Sequence, residues 1–186
     1  MEIKEIRVLN AMPLYDYKQA CLLTEGREPD VSWQPKDEKK YWIKQILANH
    51  SCLRSIKFRF AAEAPKSVIM QIIRATKGHP QPYVQSSRPD WNGGKERSSN
   101  PYEEKLFMQD HTAESFVEMT KQRLCARTEG KTRIFMMELV KALKESDIPF
   151  LQAVGECCHP ICWWYKACPE IKSCGACERL IDRIGG

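Results

Sequence analysis

Gln71 and Arg74 stand three residues apart in KSVIMQIIR, and the stretch that follows, ATKGHPQPYVQSSRPDW, supplies Lys77, His79, Gln85, Ser86, Ser87 and Arg88. Residues three apart share one face of a helix, so the Gln71 amide and the Arg74 guanidinium point the same way near its C-terminal end. Arginine presents a planar fork of donors that matches a phosphate, and serine hydroxyls and glutamine amides complete such a site. Together these groups meet the needs of a nucleoside monophosphate; a solvated polar loop of the same composition is the competing reading. His50 opens the next informative stretch, HSCLRSIKFRF, and Arg123 closes another, TAESFVEMTKQRL. Taken singly, His50 reads as a satisfied structural histidine and Arg123 as a complement to a helix dipole, paired with Glu118 or Glu129. Arg88-Pro89-Asp90 taken alone reads as a surface turn.

The elements that must carry these residues follow from apolar spacing. Ile3, Ile6 and Val8 alternate with charges, giving a first strand over 2–10 that ends at Met12-Pro13. Signals over 15–35 are mixed, with Pro29 and Pro35 punctuating a loop. Residues 37–48 carry Tyr41, Trp42, Ile46 and Leu47 at helical spacing. A half-buried strand is expected over 55–60, where Ile56, Phe58 and Phe60 alternate with Lys57 and Arg59. Pro65 then precedes a helix over 66–74, and Gly, Pro and Ser recur from 77 to 100 in a loop too long for a simple connection. Further helices are expected over 112–125 and 131–144. With two strands early and four helices, the pattern predicts an α+β fold, a small antiparallel or mixed sheet packed with several helices. Residues 1–150 form that domain and residues 151–186 a cysteine-rich C-terminal extension.

The 186 residues are 42% apolar and 28% charged, enough for a proper core. No apolar run approaches the roughly 18 residues that span a bilayer, and MEIKEIRVLN has no signal-peptide apolar region, so a cytoplasmic protein without membrane contact is expected. Lys and Arg number 29 against 24 Asp and Glu, a formal charge of +5 that suits an anionic small molecule or a nucleic acid without demanding either.

The run HSCLRSIKFRFAAEAPKSVIMQIIR, followed by QSSR, resembles the core of the flavin-dependent thymidylate synthases. In that family a histidine precedes a strand, a helix that starts near a proline ends in Gln-x-x-Arg, and a loop with a serine and an arginine follows. The matching positions are His50, Pro65, Gln71, Arg74, Ser86 or Ser87, and Arg88, while TAESFVEMTKQRL is similar to a later helix whose final arginine is Arg123. The similarity covers roughly residues 45–145, with a looser match through CPEIKSCG to divergent phage-like members. The resemblance implies transfer of a one-carbon unit from methylenetetrahydrofolate to dUMP, with FAD as cofactor and NADPH as its reductant. The protein's part would be orientation and electrostatics, without a cysteine nucleophile. It assigns Arg123 to the pyrimidine as the catalytic residue. Gln71, Gln85, Ser86, Ser87 and Arg88 fall to the substrate, and His50, Arg74, Thr76, Lys77 and His79 to the flavin. It also implies a homotetramer with sites formed between subunits.

The chain departs from the family pattern where the signature is densest. Of its Arg-His-Arg triplet only Arg74 remains, Ala75 and Thr76 replacing the other two, with Lys77 available to offset part of the lost charge. The loop is longer, leaving the serine's place open among Gln85, Ser86 and Ser87, and a helix that lends another phosphate-binding arginine is expected in shortened form around 101–110. A non-catalytic relative that binds dUMP or another nucleotide is therefore the alternative function.

Six of the nine cysteines crowd into residues 157–177, and Cys21, Cys52 and Cys125 read as scattered reduced thiols. Cys174-Gly-Ala-Cys177 has the spacing of half a zinc site, but no second Cys-x-x-Cys accompanies it. Cys158, His159, Cys162 and Cys168 offer ligands at no knuckle or ribbon spacing, and Cys162, Cys168, Cys174 and Cys177 are the candidate ligands for zinc or an iron–sulfur centre; in an oxidising compartment Cys162, Cys168 and Cys174 could instead pair as disulfides. A small apolar subdomain capped by Trp163, Trp164 and Tyr165 is the reading that needs no metal. A zinc-stabilised nucleic-acid-binding protein is a third function, disfavoured because the basic residues form no dense patch.

Overall fold

The computed structural model describes residues 1–28, 38–75, 81–91, 93–94 and 99–184. Within them the chain is α+β. An open sheet of four antiparallel strands in the order β1-β2-β4-β3 carries its helices on one face.

Strand β1 (Glu2–Val8) pairs with β2 (Phe58–Pro65), β2 with β4 (Glu104–His111), and β4 with the short edge strand β3 (Pro82–Val84). Alternation decides the faces. Phe58, Phe60, Ala62 and Ala64 of β2 are buried under the helices, as are Phe107 and His111 of β4. The opposite face carries Arg59, which grips Asp110 of β4 through two hydrogen bonds of 2.5 and 2.8 Å and lies over the Tyr83 ring of β3. The expected strand over 55–60 is displaced: a 3-10 turn takes Ser51–Ser55, and β2 runs on through the alanines to Pro65. Alanine gives an alternating pattern almost no amplitude, which hides the second half of the strand from a hydropathy reading.

Helix α3 (Lys66–Ala75) follows β2 without a loop, and the carbonyls of Glu103 and Pro101 accept its first amides at 3.0 and 2.9 Å. Val68, Ile69 and Ile72 face inward as their spacing predicts, joined by Ala75, while Ile73, of the same expected stripe, is half-buried. Helices α2 (Lys39–Leu47), α4 (Ala113–Arg123) and α5 (Gly130–Lys144) also fall where their apolar periods put them. Thr112 caps α4 by accepting the Ser115 amide while the Ser115 hydroxyl receives the Thr112 amide, a reciprocal box that fixes the start of the helix. Helix α1 (Pro13–Thr24) occupies a stretch read from sequence as mixed signals before a loop. Its inward set of Tyr17, Lys18 and Leu22 includes a lysine and spares other apolar residues, so it draws no clear stripe.

The core is continuous through α6 (Pro149–Glu156), which spans the position where the sequence divides into domain and extension. Phe150 meets Trp42 of α2 edge-on at 5.2 Å, and Leu151, Ala153, Val154, Cys157 and Cys158 lie in the same apolar cluster. Gly155 lets α6 lie close against the end of α5. A Cβ there would stand 2.8 Å from Lys144 Cγ, 3.0 Å from the Lys144 nitrogen and 3.1 Å from Leu143 Cβ. Gly155→Ala is expected to cost about 1–3 kcal/mol by forcing the two helices apart. Urea unfolding would show it, and an unchanged midpoint would contradict the close packing. The remaining helices, α7 (Ile161–Tyr165) and α8 (Leu180–Ile184), lie in the cysteine-rich tail.

Candidate functional site

Helix α3 carries Gln71 and Arg74, and α4 ends at Arg123. Helix α3 packs against α4, α5, β2 and β4, and the 3-10 turn after His50 packs against α4. On α3 the buried residues claim one side, leaving Gln71 half-buried and Arg74 exposed on the other. Ala75, in the place of the signature histidine, is buried and offers no donor. His50 is exposed in an extended conformation ahead of the 3-10 turn, its side chain without a role in capping it.

The loop residues divide into two groups. Gln85 extends the β3–β4 pairing: its amide donates to the Leu106 carbonyl at 2.8 Å, and its side-chain oxygen receives the Leu106 amide at 3.2 Å. Ser86 Oγ accepts the Arg88 amide at 3.1 Å, and Ser87 beside it is half-buried. Arg88 is exposed, forks onto both oxygens of Asp90 at 3.2 and 2.7 Å, and lies over the Trp91 ring. The local turn expected from Arg88-Pro89-Asp90 is therefore present, with the guanidinium turned onto its own loop. Thr76, Lys77 and His79 lie outside the described residues. The shortened helix expected around 101–110 is a correction: those positions form a turn and then β4. The strand's inward set, Lys105, Phe107, Gln109 and His111, contains one apolar residue and so conceals its period-two pattern.

Arg123 differs from the rest. Its Nε is buried and has no hydrogen-bond partner, and burial alone pulls the guanidinium below its ordinary ionisation range. The carboxylates expected beside it are engaged elsewhere. Glu118 pairs with Lys121, and Glu129 caps α5 by accepting the Lys131 and Thr132 amides at 3.0 and 2.8 Å. A buried N–H without a partner is costly to maintain, and an anionic or carbonyl-bearing ligand would satisfy the Arg123 Nε. No hydrogen bond joins Gln71, Arg88 and Arg123 to one another among the described residues.

Sequence reasoning missed His111. Its ring is stacked on Phe60 with a 16° interplanar angle and meets Phe116 edge-on at 5.2 Å. Nδ1 lies 3.1 Å from Ser115 Oγ, and Nε2 is buried without a partner. Burial pushes its pKa down to about 3, so the ring is held neutral. The Thr112-x-x-Ser115 box directly after it was the available signal, since that box turns the chain inward at this strand end.

A cleft of about 300 Å³ lies elsewhere, between the start of β1 and α5, lined by Glu2, Phe135, Glu138, Lys141 and Glu145 among others; no candidate residue reaches it. Among the described residues no helix is long and apolar enough to cross a membrane. No protein-family model matches the chain, and no curated protein matches it.

Proposed function

We propose that the chain binds deoxyuridine monophosphate and promotes transfer of a one-carbon unit to it from methylenetetrahydrofolate, as a divergent flavin-dependent thymidylate synthase. The resemblance of residues 45–145 motivates the reading. The observation that carries it is the buried, unpartnered Nε of Arg123, at the position matching the family's pyrimidine-facing arginine. In this reading Arg123 stabilises negative charge that develops on the ring, where its desolvation makes the interaction stronger than it would be in water. Gln71 and the Ser86–Arg88 segment hold the phosphate end, with Arg88 exchanging the Asp90 carboxylate for phosphate oxygens of similar geometry.

The residues present fit a flavin in part. The His50 imidazole and the Arg74 guanidinium are exposed and have no hydrogen-bond or ion-pair partners among the described residues, so both are free to meet an anionic cofactor. Bound FAD, reduced by NADPH, would supply the hydride. The protein's own residues bind, orient and shield. A homotetramer would complete sites that one chain leaves open.

Buried Ala75 favours a second reading, in which nucleotide binding persists without turnover. A visible absorbance spectrum of the purified protein, followed by anaerobic oxidation of its reduced flavin in the presence of methylenetetrahydrofolate with and without dUMP, separates the two. The enzyme reading predicts flavin bands and dUMP-dependent oxidation. Colourless protein that takes up no flavin on reconstitution would overturn it, and dUMP binding by such protein would establish the second.

A further inference from the structure

Strand β1 is an edge of the sheet, and among the described residues no backbone group pairs with its outer side. An unpaired edge invites another strand, and proteins usually blunt it. The far edge is blunted: β3 is three residues long and opens on Pro82, which has no amide to donate. Strand β1 is seven residues long and contains neither proline nor glycine.

The outward groups of β1 can be assigned. The Leu9 amide donates to the Lys57 carbonyl at 2.8 Å, so Leu9 directs its backbone toward the sheet. Backbone direction and side-chain face alternate together along a strand. Val8 and Ile6 therefore turn their amides and carbonyls to the free edge, Arg7 does not, and both apolar side chains pack on the core. The register shift between Ile3 and Glu5 inserts one residue, so Ile3 joins Ile6 and Val8 in both respects. Lys4 stays on the outer face, where it meets Glu63 at 3.5 Å, and Glu5 meets Arg7 there at 3.6 Å.

The charges of β1 suit another β1 better than they suit β2. Within the sheet Arg7 stands opposite Arg59 and Glu2 opposite Glu63, and like charges directly opposite are destabilising. Against a second copy, antiparallel about the inserted residue, Lys4 lies opposite Glu5, Ile3 opposite Ile6, and Glu2 opposite Arg7. Every charge then meets its opposite, every isoleucine meets an isoleucine, and the members of each pair share a face. Ile3 and Ile6 also carry the free backbone groups, so each amide can donate to the other's carbonyl on both sides of the axis. A slip of one residue would set Lys4 on Lys4 or Glu5 on Glu5.

The cleft of about 300 Å³ extends this surface. It opens beside Glu2 and Ile3 and is lined from α5 by Phe135 and Ala142. Exposed Ile134 lies on the helix stripe that Glu138, Lys141 and Glu145 of the cleft continue. In the antiparallel arrangement Val8 of the second copy comes alongside the start of β1 and brings an apolar side chain to this cleft.

We infer that two copies of the chain associate through β1 about a two-fold axis between Lys4 and Glu5, joining their sheets into one and covering both clefts. The association needs no nucleotide and is independent of the proposed activity.

Sedimentation of the full chain over a concentration series tests it. An even-numbered assembly is expected. Arg7→Glu should split it at this interface, weakening association about 10- to 100-fold, because like charges then face each other on both sides of the axis. Since Arg7 and Glu2 each stand opposite a like charge in β2, reversing them spares the fold. Adding Glu2→Arg to Arg7→Glu recreates the opposed pairs and should restore wild-type association. Hydrogen exchange localises the contact: the Ile3 and Ile6 amides should be protected in the assembly and exchange quickly in Arg7→Glu. A chain that stays monomeric at every concentration would overturn the inference. So would an assembly that Arg7→Glu leaves intact, or one that the double reversal fails to restore.

Discussion

Replacing Arg123 by methionine is expected to weaken dUMP binding by about 100-fold while leaving the ligand-free protein as stable as the wild type or more so. The two effects have one cause. Methionine keeps the aliphatic stem's packing and removes a buried Nε that has no partner, and an unsatisfied buried donor costs about 1–3 kcal/mol. In the complex the same group becomes a charge-assisted donor in a desolvated place, and losing such a bond costs about 2–5 kcal/mol. Calorimetric titration with dUMP and thermal unfolding, on both proteins, measure the two halves. A purely structural arginine predicts the opposite pattern: loss of stability with affinity unchanged.

The second large effect is on acid stability. His111 is neutral in the fold with a pKa of about 3, against 6.5 when unperturbed. Below pH 6.5 the unfolded chain therefore binds a proton that the folded chain refuses, so stability is fully present above that pH and is lost as pH falls toward 3. The limiting slope is about 1.4 kcal/mol per pH unit. Asp110, the adjacent carboxylate, opposes the shift only weakly, because it belongs to the other face of the sheet and is engaged by Arg59. Glu114, held by Arg54, and Glu129, held by the α5 amides, also have lowered pKa values, and their contribution fades only below their ordinary value of 4.5. Urea unfolding between pH 7.5 and 5 thus isolates the histidines: His111 foremost, and His159, whose pKa burial also lowers. His111→Phe should flatten that limb, and an equal slope in the variant would refute the assignment.

What the sequence made legible depended on whether burial and hydropathy coincided. In α3 and α5 the inward residues are almost all apolar, so Val68, Ile69 and Ile72, or Phe135, Leu139 and Leu143, mark their helices directly. In β4 the inward residues are lysine, phenylalanine, glutamine and histidine, and the strand was hidden behind an expected helix. The candidate site divides similarly. Donor chemistry at Gln71, Arg88 and Arg123 could be read from residue type and spacing. Which donors are already satisfied could not: Arg88 is occupied by Asp90, two residues away, whereas the buried Nε of Arg123 has no partner although two glutamates lie within six residues.

The role of Arg123 is decided by a crystal structure of the protein with dUMP. The pyrimidine is expected within hydrogen-bond distance of the Arg123 guanidinium, with Gln71 and Arg88 at the same nucleotide, from one subunit or two. A nucleotide bound away from Arg123, with its Nε still unpartnered, would contradict it.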